Sequence, residues 1–142
     1  MGRVVQGHGG VSPGQKDGNA AAYAAFANGG TYYKPYLVSK VVTQDGKAHK
    51  YSATGKRAMS AATAFMLTDM MKGVMTNENG SGRSAAISGL YQAGKTGTDS
   101  YPDDYADKVP DGATMDSWFT GYTKNYAISV WTGYDKQFQT GH

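Results

Sequence analysis

Glycine occupies 20 of the 142 positions, with no Gly-X-Y period, against a typical usage of about 7%. That density interrupts long helices, because each interior glycine costs about 1 kcal/mol relative to alanine, and the missing period excludes a collagen triple helix. Short elements joined by tight turns are therefore expected. With 39% hydrophobic and only 18% charged residues, the chain lies outside the low-hydrophobicity, high-charge range of disordered sequences. Its length fits one domain or part of a larger one and excludes two full domains.

The charge balance excludes several partners. Lys plus Arg is 14 against 11 for Asp plus Glu, a net +3 with no basic block, so nucleic acid is not expected. With no cysteine there is no disulfide framework, thiolate zinc site or thiol nucleophile. His8, His49 and His142 stand far apart, and the acidic stretch Asp99 to Asp116 lacks calcium-loop spacing, so no metal or cofactor is expected. No apolar run reaches the roughly 18 residues that span a bilayer, and the first residues lack the apolar core of a secretory signal. Any address or anchor is expected to lie in other sequence.

Along the chain, residues 1–10 are glycine-rich and polar and read as a flexible lead or linker. Ser12-Pro13 has the form of a helix start, with Ser12 as cap and Pro13 in the first turn. The run Asn19 to Ala27 has the highest helix propensity in the sequence, and Asn28-Gly29-Gly30 supplies a left-handed stop. The aromatic and β-branched stretch Thr31 to Val42, the turn Gln44-Asp45-Gly46-Lys47 and Ala48 to Tyr51 read as a hairpin. Ser60 opens a second helix through about Thr76, whose Phe65, Met66, Leu67, Met70, Met71, Val74 and Met75 cover so wide an apolar arc that burial on most sides is expected. Asn77 to Ser84 is a polar loop, and Asp99 to Thr114 is too interrupted for a long helix. Ser117 to Tyr122 and Tyr126 to Tyr134 form a second hairpin, with Tyr126, Ile128, Val130, Thr132 and Tyr134 on one face.

Two chemistries fit the segment between these hairpins. Gly89 to Thr96 matches the phosphate-loop pattern G-x-x-x-x-G-K-[ST], which would make the chain a nucleotide-binding protein. That chemistry needs a helix directly after the lysine to aim its amides at the anion, whereas here the chain continues Gly97-Thr98-Asp99-Ser100-Tyr101-Pro102. The other chemistry takes Lys95-Thr96-Gly97-Thr98 as a K-T-G signature of acyl-serine enzymes. On a strand, Lys95 would orient a substrate carboxylate, Thr96 and Thr98 would donate hydrogen bonds to it, and Gly97 would let the substrate backbone lie close. A free backbone N–H at Thr98 would contribute to an oxyanion hole. The order of elements, with a hairpin after the motif, favours this second reading.

Several further blocks carry a resemblance. AAAYAAFANGGTYYKPY from Ala20 to Tyr36, Arg57-Ala58-Met59-Ser60, Met66 to Lys72, QAGKTGT from Gln92 to Thr98, Trp118 to Tyr122 and Trp131 to Tyr134 resemble the C-terminal half of the transpeptidase domain of Gram-positive class A penicillin-binding proteins. The resemblance implies an α+β fold of the α/β sandwich type, with antiparallel strands and packed helices. It places residues 11–142 in the C-terminal portion of that domain. It also implies a D,D-transpeptidase that crosslinks peptidoglycan stem peptides, is acylated by β-lactam antibiotics, and works at the extracytoplasmic face of the bacterial membrane. Lys95 and Thr98 are then the expected catalytic residues, and Lys95, Thr96, Gly97 and Thr98 the expected substrate-binding ones. The family's S-x-x-K nucleophile and S-x-N motif are absent from this sequence. The expected partner is therefore a complementary N-terminal half carrying the serine, without which the chain is expected to be an inactive half-domain.

Overall fold

The computed structural model describes residues 3–6, 13–133 and Phe138. In chain order the elements are β1 (Arg3–Gln6), α1 (Pro13–Ala27), β2 (Thr31–Tyr33), β3 (Lys40–Val42), β4 (Ala48–Lys50), β5 (Gly55–Arg57), α2 (Ala61–Thr76), β6 (Ala93–Ser100), β7 (Thr114–Tyr122) and β8 (Tyr126–Gly133), with 3-10 turns at Arg83–Ala85 and Asp103–Lys108. The main sheet runs β1-β8-β7-β6, parallel only between β1 and β8, and two small two-stranded sheets pair β2 with β5 and β3 with β4. The expected mixed fold of helices on an antiparallel sheet is the one observed.

Helix α1 begins at Pro13, whose missing N–H costs nothing in the first turn; its expected cap, Ser12, lies outside the described residues. It ends at Gly29 and Gly30, with φ of 60° and 86°. Gly30 could not be another residue, since a Cβ there would run into the Met59 carbonyl oxygen. Helix α2 is capped by Ser60, whose Oγ accepts from the Thr63 N–H at 3.0 Å.

Both helices lie on one face of the sheet. Ala93, Tyr122 and Ala127 are register partners across β6, β7 and β8, and with Ala24 they form the core, flanked by Tyr23, Phe26, Ala27 and Met71. Alanines at 20, 21, 24 and 25 are all buried, which lets α1 approach the strands closely. Asn19 Nδ2 donates to Thr120 Oγ1 at 2.8 Å and to Ser129 Oγ at 3.0 Å, and the two hydroxyls are 3.0 Å apart. This buried triangle ties the helix to β7 and β8 with its polar side chains paired, as burial requires.

Four expectations need correction. The lead is not featureless over Arg3–Gln6, which forms β1 against β8; the β-branched pair Val4-Val5 suits a strand, and the rest of residues 1–10 lies outside the described residues. The strand expected from Thr31 to Val42 stops at Tyr33, because Pro35 lacks an N–H and pushes its neighbour out of regular pairing. The expected hairpin survives at its turn as β3 paired with β4, while β2 pairs with the short polar strand β5, which has no apolar alternation to announce it.

Burial of α2 on most sides is the fourth. It packs through one stripe, Ala64, Thr68, Met71 and Met75, while Phe65, Met66 and Met70 are 69%, 58% and 71% exposed. Likewise, Tyr126, Ile128, Val130 and Thr132 do share a face, but it is the one away from the helices. Ala127, Ser129 and Trp131 fill the buried side, and Tyr134 lies outside the described residues.

Two outcomes follow for the folded protein. Ser60→Ala removes the α2 cap and lowers stability by about 1 kcal/mol, read from the denaturant midpoint. Burial holds the Tyr122 phenol above its ordinary value, against the opposing effect of the Thr68 hydroxyl that its Oη meets at 3.0 Å. Its contribution is complete below the unfolded tyrosine value of about 10 and is lost as pH rises through the folded one. Ultraviolet titration of the wild type and Tyr122→Phe should differ by a late-ionising component that the substitution removes.

Candidate active site

The K-T-G-T segment lies in the middle of β6, an edge strand of the main sheet that among the described residues pairs on one side only. A strand paired on one side leaves alternate N–H and C=O groups facing outward. Lys95 stands opposite Thr120, Thr96 opposite Phe119, Gly97 opposite Trp118 and Thr98 opposite Ser117. Lys95 and Thr98 are exposed, Thr96 and Gly97 half-buried, and Ala93 and Gly94 before them buried. The strand thus rises out of the core and presents its four motif residues at the sheet margin.

All four sequence-derived site residues are therefore brought together along one edge. Lys95 Nζ folds back along the strand, donating to the Thr96 carbonyl at 2.8 Å and lying 3.5 Å from Thr96 Oγ1. Gly97 has a structural reason to lack a side chain, since a Cβ would stand 3.2 Å from Trp118 Cβ. After Thr98, Asp99 faces Asp116 across the ladder, and the register shifts between Asp99 and Ser100. Asp116 accepts a hydrogen bond from Trp131 Nε1.

One contact has no counterpart in the sequence analysis. Ser81 Oγ, from the loop after α2, lies 2.7 Å from Thr96 Oγ1. The sequence marks Asn77 to Ser84 only as a polar loop, because a contact between side chains fifteen residues apart leaves no periodic trace. The two glycines in Gly80-Ser81-Gly82 are the one available signal.

The phosphate-loop alternative is corrected by this geometry. Lys95 sits inside a strand that continues to Ser100, so no helix N-terminus follows it to direct amides at a phosphate. A cavity of about 390 Å³ does lie nearby, bounded by Phe26, Phe65, Thr68, Asp69, Tyr91 and Tyr122, but the four motif residues do not line it. Among the described residues no cluster of three or more His, Cys, Asp or Glu side chains is placed to hold a metal, and no helix is long and apolar enough to cross a membrane.

Comparison with known proteins shows the family. Residues 9–139 match the family model described as the penicillin-binding protein transpeptidase domain. The chain is 50% identical over 121 residues to penicillin-binding protein 1A of Streptococcus pneumoniae, covering 83% of this chain and 17% of the relative. It is 42% identical over 129 residues to penicillin-binding protein 1A/1B of Bacillus subtilis, covering 89% and 14%. Among solved structures, PonA1 from Mycobacterium tuberculosis in complex with penicillin V superposes with a TM-score of 0.67 at 31% identity, covering 85% of this chain and 30% of that one. The chain thus spans less than a fifth of these curated relatives. Matched over nearly its whole length and carrying K-T-G-T on an exposed sheet edge, the chain belongs to the penicillin-binding protein transpeptidase domain family.

Proposed function

We propose that this chain supplies the K-T-G-T wall of an acyl-serine D,D-transpeptidase that crosslinks peptidoglycan stem peptides at the extracytoplasmic face of the bacterial membrane and is acylated by β-lactams. The observation that carries the reading is the placement of Lys95, Thr96, Gly97 and Thr98 on an edge strand open to solvent. An extended peptide or a lactam can align along such an edge, with its free carboxylate toward Lys95 Nζ and the hydroxyls of Thr96 and Thr98. The outward backbone groups then face the reacting carbonyl, and Thr98 N–H stabilises the oxyanion of the tetrahedral intermediate.

The nucleophile comes from elsewhere. No serine here has a lysine three residues later, and no S-x-N occurs, so the attacking serine and its base belong to a complementary N-terminal segment. Two observations support such a complement. The chain matches only a small share of its relatives' length, and it exposes Phe65, Met66 and Met70 on α2 and Tyr126, Ile128 and Val130 on the sheet. Apolar side chains left exposed on both sides of the sheet in this way are what a further covering segment would bury.

Fluorescent penicillin tests the assignment. The isolated chain stays unlabelled, and labelling appears when the serine-bearing segment is present; labelling of the chain alone would refute the missing nucleophile. In the complemented protein, Lys95→Ala lowers the acylation rate by about 10- to 100-fold, the loss expected when a charge-assisted hydrogen bond of about 1.5–3 kcal/mol disappears. An unchanged rate would remove Lys95 from the site.

A further inference from the structure

The loop between α2 and the segment leading into β6 is built more tightly than its polar composition requires. Gly80 N–H donates to Asn77 O at 2.9 Å and Gly82 N–H to Val74 O at 3.0 Å. A Cβ on Gly80 would run into the Val74 carbonyl oxygen, and one on Gly82 would stand 2.9 Å from Met75 Sδ. Arg83 Nη1 closes the loop from outside by donating to Glu78 O at 2.9 Å. Both flanks of Ser81 are thereby fixed to the end of α2, and the only side chain between the two glycines is carried to Thr96, with its Oγ 2.7 Å from Thr96 Oγ1.

A threonine hydroxyl has one proton and can accept while it donates. If Thr96 gives that proton to Ser81, nothing is left for a ligand. If Ser81 donates instead, the Thr96 proton is free to point along the edge, and the polarised pair is a better donor than an isolated hydroxyl. A carboxylate, which only accepts, selects the second arrangement. Lys95 Nζ, a donor 3.5 Å from the same oxygen, favours it too, because a Thr96 oxygen that accepts from a cation turns its own proton away from that cation and toward an anion.

Resting on the reading of K-T-G-T as a carboxylate-binding edge, we propose that Ser81 is a positioning residue of the transpeptidase. It acts through Thr96, setting the direction of that hydroxyl so that it donates to the carboxylate of the β-lactam or stem peptide. The α2 loop is then a functional part of the site, not only a connection.

The test uses the complemented transpeptidase and two probes, benzylpenicillin and its methyl ester, which differ only in the carboxylate. Ser81→Ala should slow acylation by the acid about 5-fold, the value of one neutral hydrogen bond, while changing the ester rate by less than about 2-fold, within the scatter of a surface substitution. Ser81→Thr, which keeps the hydroxyl, should restore the acid-to-ester ratio. Equal losses with both probes would show a merely structural role and overturn the proposal, as would no loss with either. Lys95→Ala separates the two levels. If it lowers the acid-to-ester ratio and Ser81→Ala does not, only the role of Ser81 falls; if Lys95→Ala leaves the ratio unchanged, the carboxylate-binding reading falls and the Ser81 proposal with it.

Discussion

The chemistry assigned to this chain depends on β6 being a terminal strand. Paired with β7 alone among the described residues, it keeps a row of main-chain donors and acceptors unspent, and that row is what the proposed extended ligand would read. Were another strand laid against it, the outward N–H and C=O groups beside Lys95 and the two threonines would be taken up by the ladder. The register with β7 is equally restrictive, because a slip of one residue would exchange the two faces of the strand. Ala93 would then leave the core it shares with Tyr122 and Ala127, and each motif residue would turn to the opposite side.

Holding that register is the task of the helical face. The alanines of α1 allow close approach, Tyr122 supplies the bulky aromatic group, and its ring packs 6.2 Å from both Tyr23 and Phe26. The Asn19 triangle adds direction. Thr120, one of its corners, is the register partner of Lys95. The polar contact that fixes α1 thus sits on the same rung of the sheet as the cation. Hydrophobic burial alone is non-directional and tolerates sliding; three satisfied polar groups at one rung do not.

How much of this the sequence disclosed varies with the kind of interaction. Helix α2 and its Ser60 cap were legible because capping and periodicity act over three or four residues, and the β7–β8 hairpin because alternation and a polar turn are local. The edge placement of K-T-G-T followed from its tetrapeptide and the hairpin after it. What escaped was set at long range. Strand β5 has the composition of a loop and exists because β2 accepts it. Strand β1 sits in a stretch whose glycines mask a short β-branched pair. The exposure of Phe65, Met66 and Met70 departs from the usual inference from apolar residues to burial, since periodicity marks an apolar face without specifying what packs on it. Ser81 was invisible for the same reason: its partner lies on another element.

Between Asp99 and Ser100 the ladder shifts register, because Met115 of β7 is an extra residue with no partner on β6. Such an irregularity bends the strand that carries it and increases the local twist. A sheet twisted at that end is a poorer template for stacking with copies of itself, the ordinary hazard of leaving an edge unpaired.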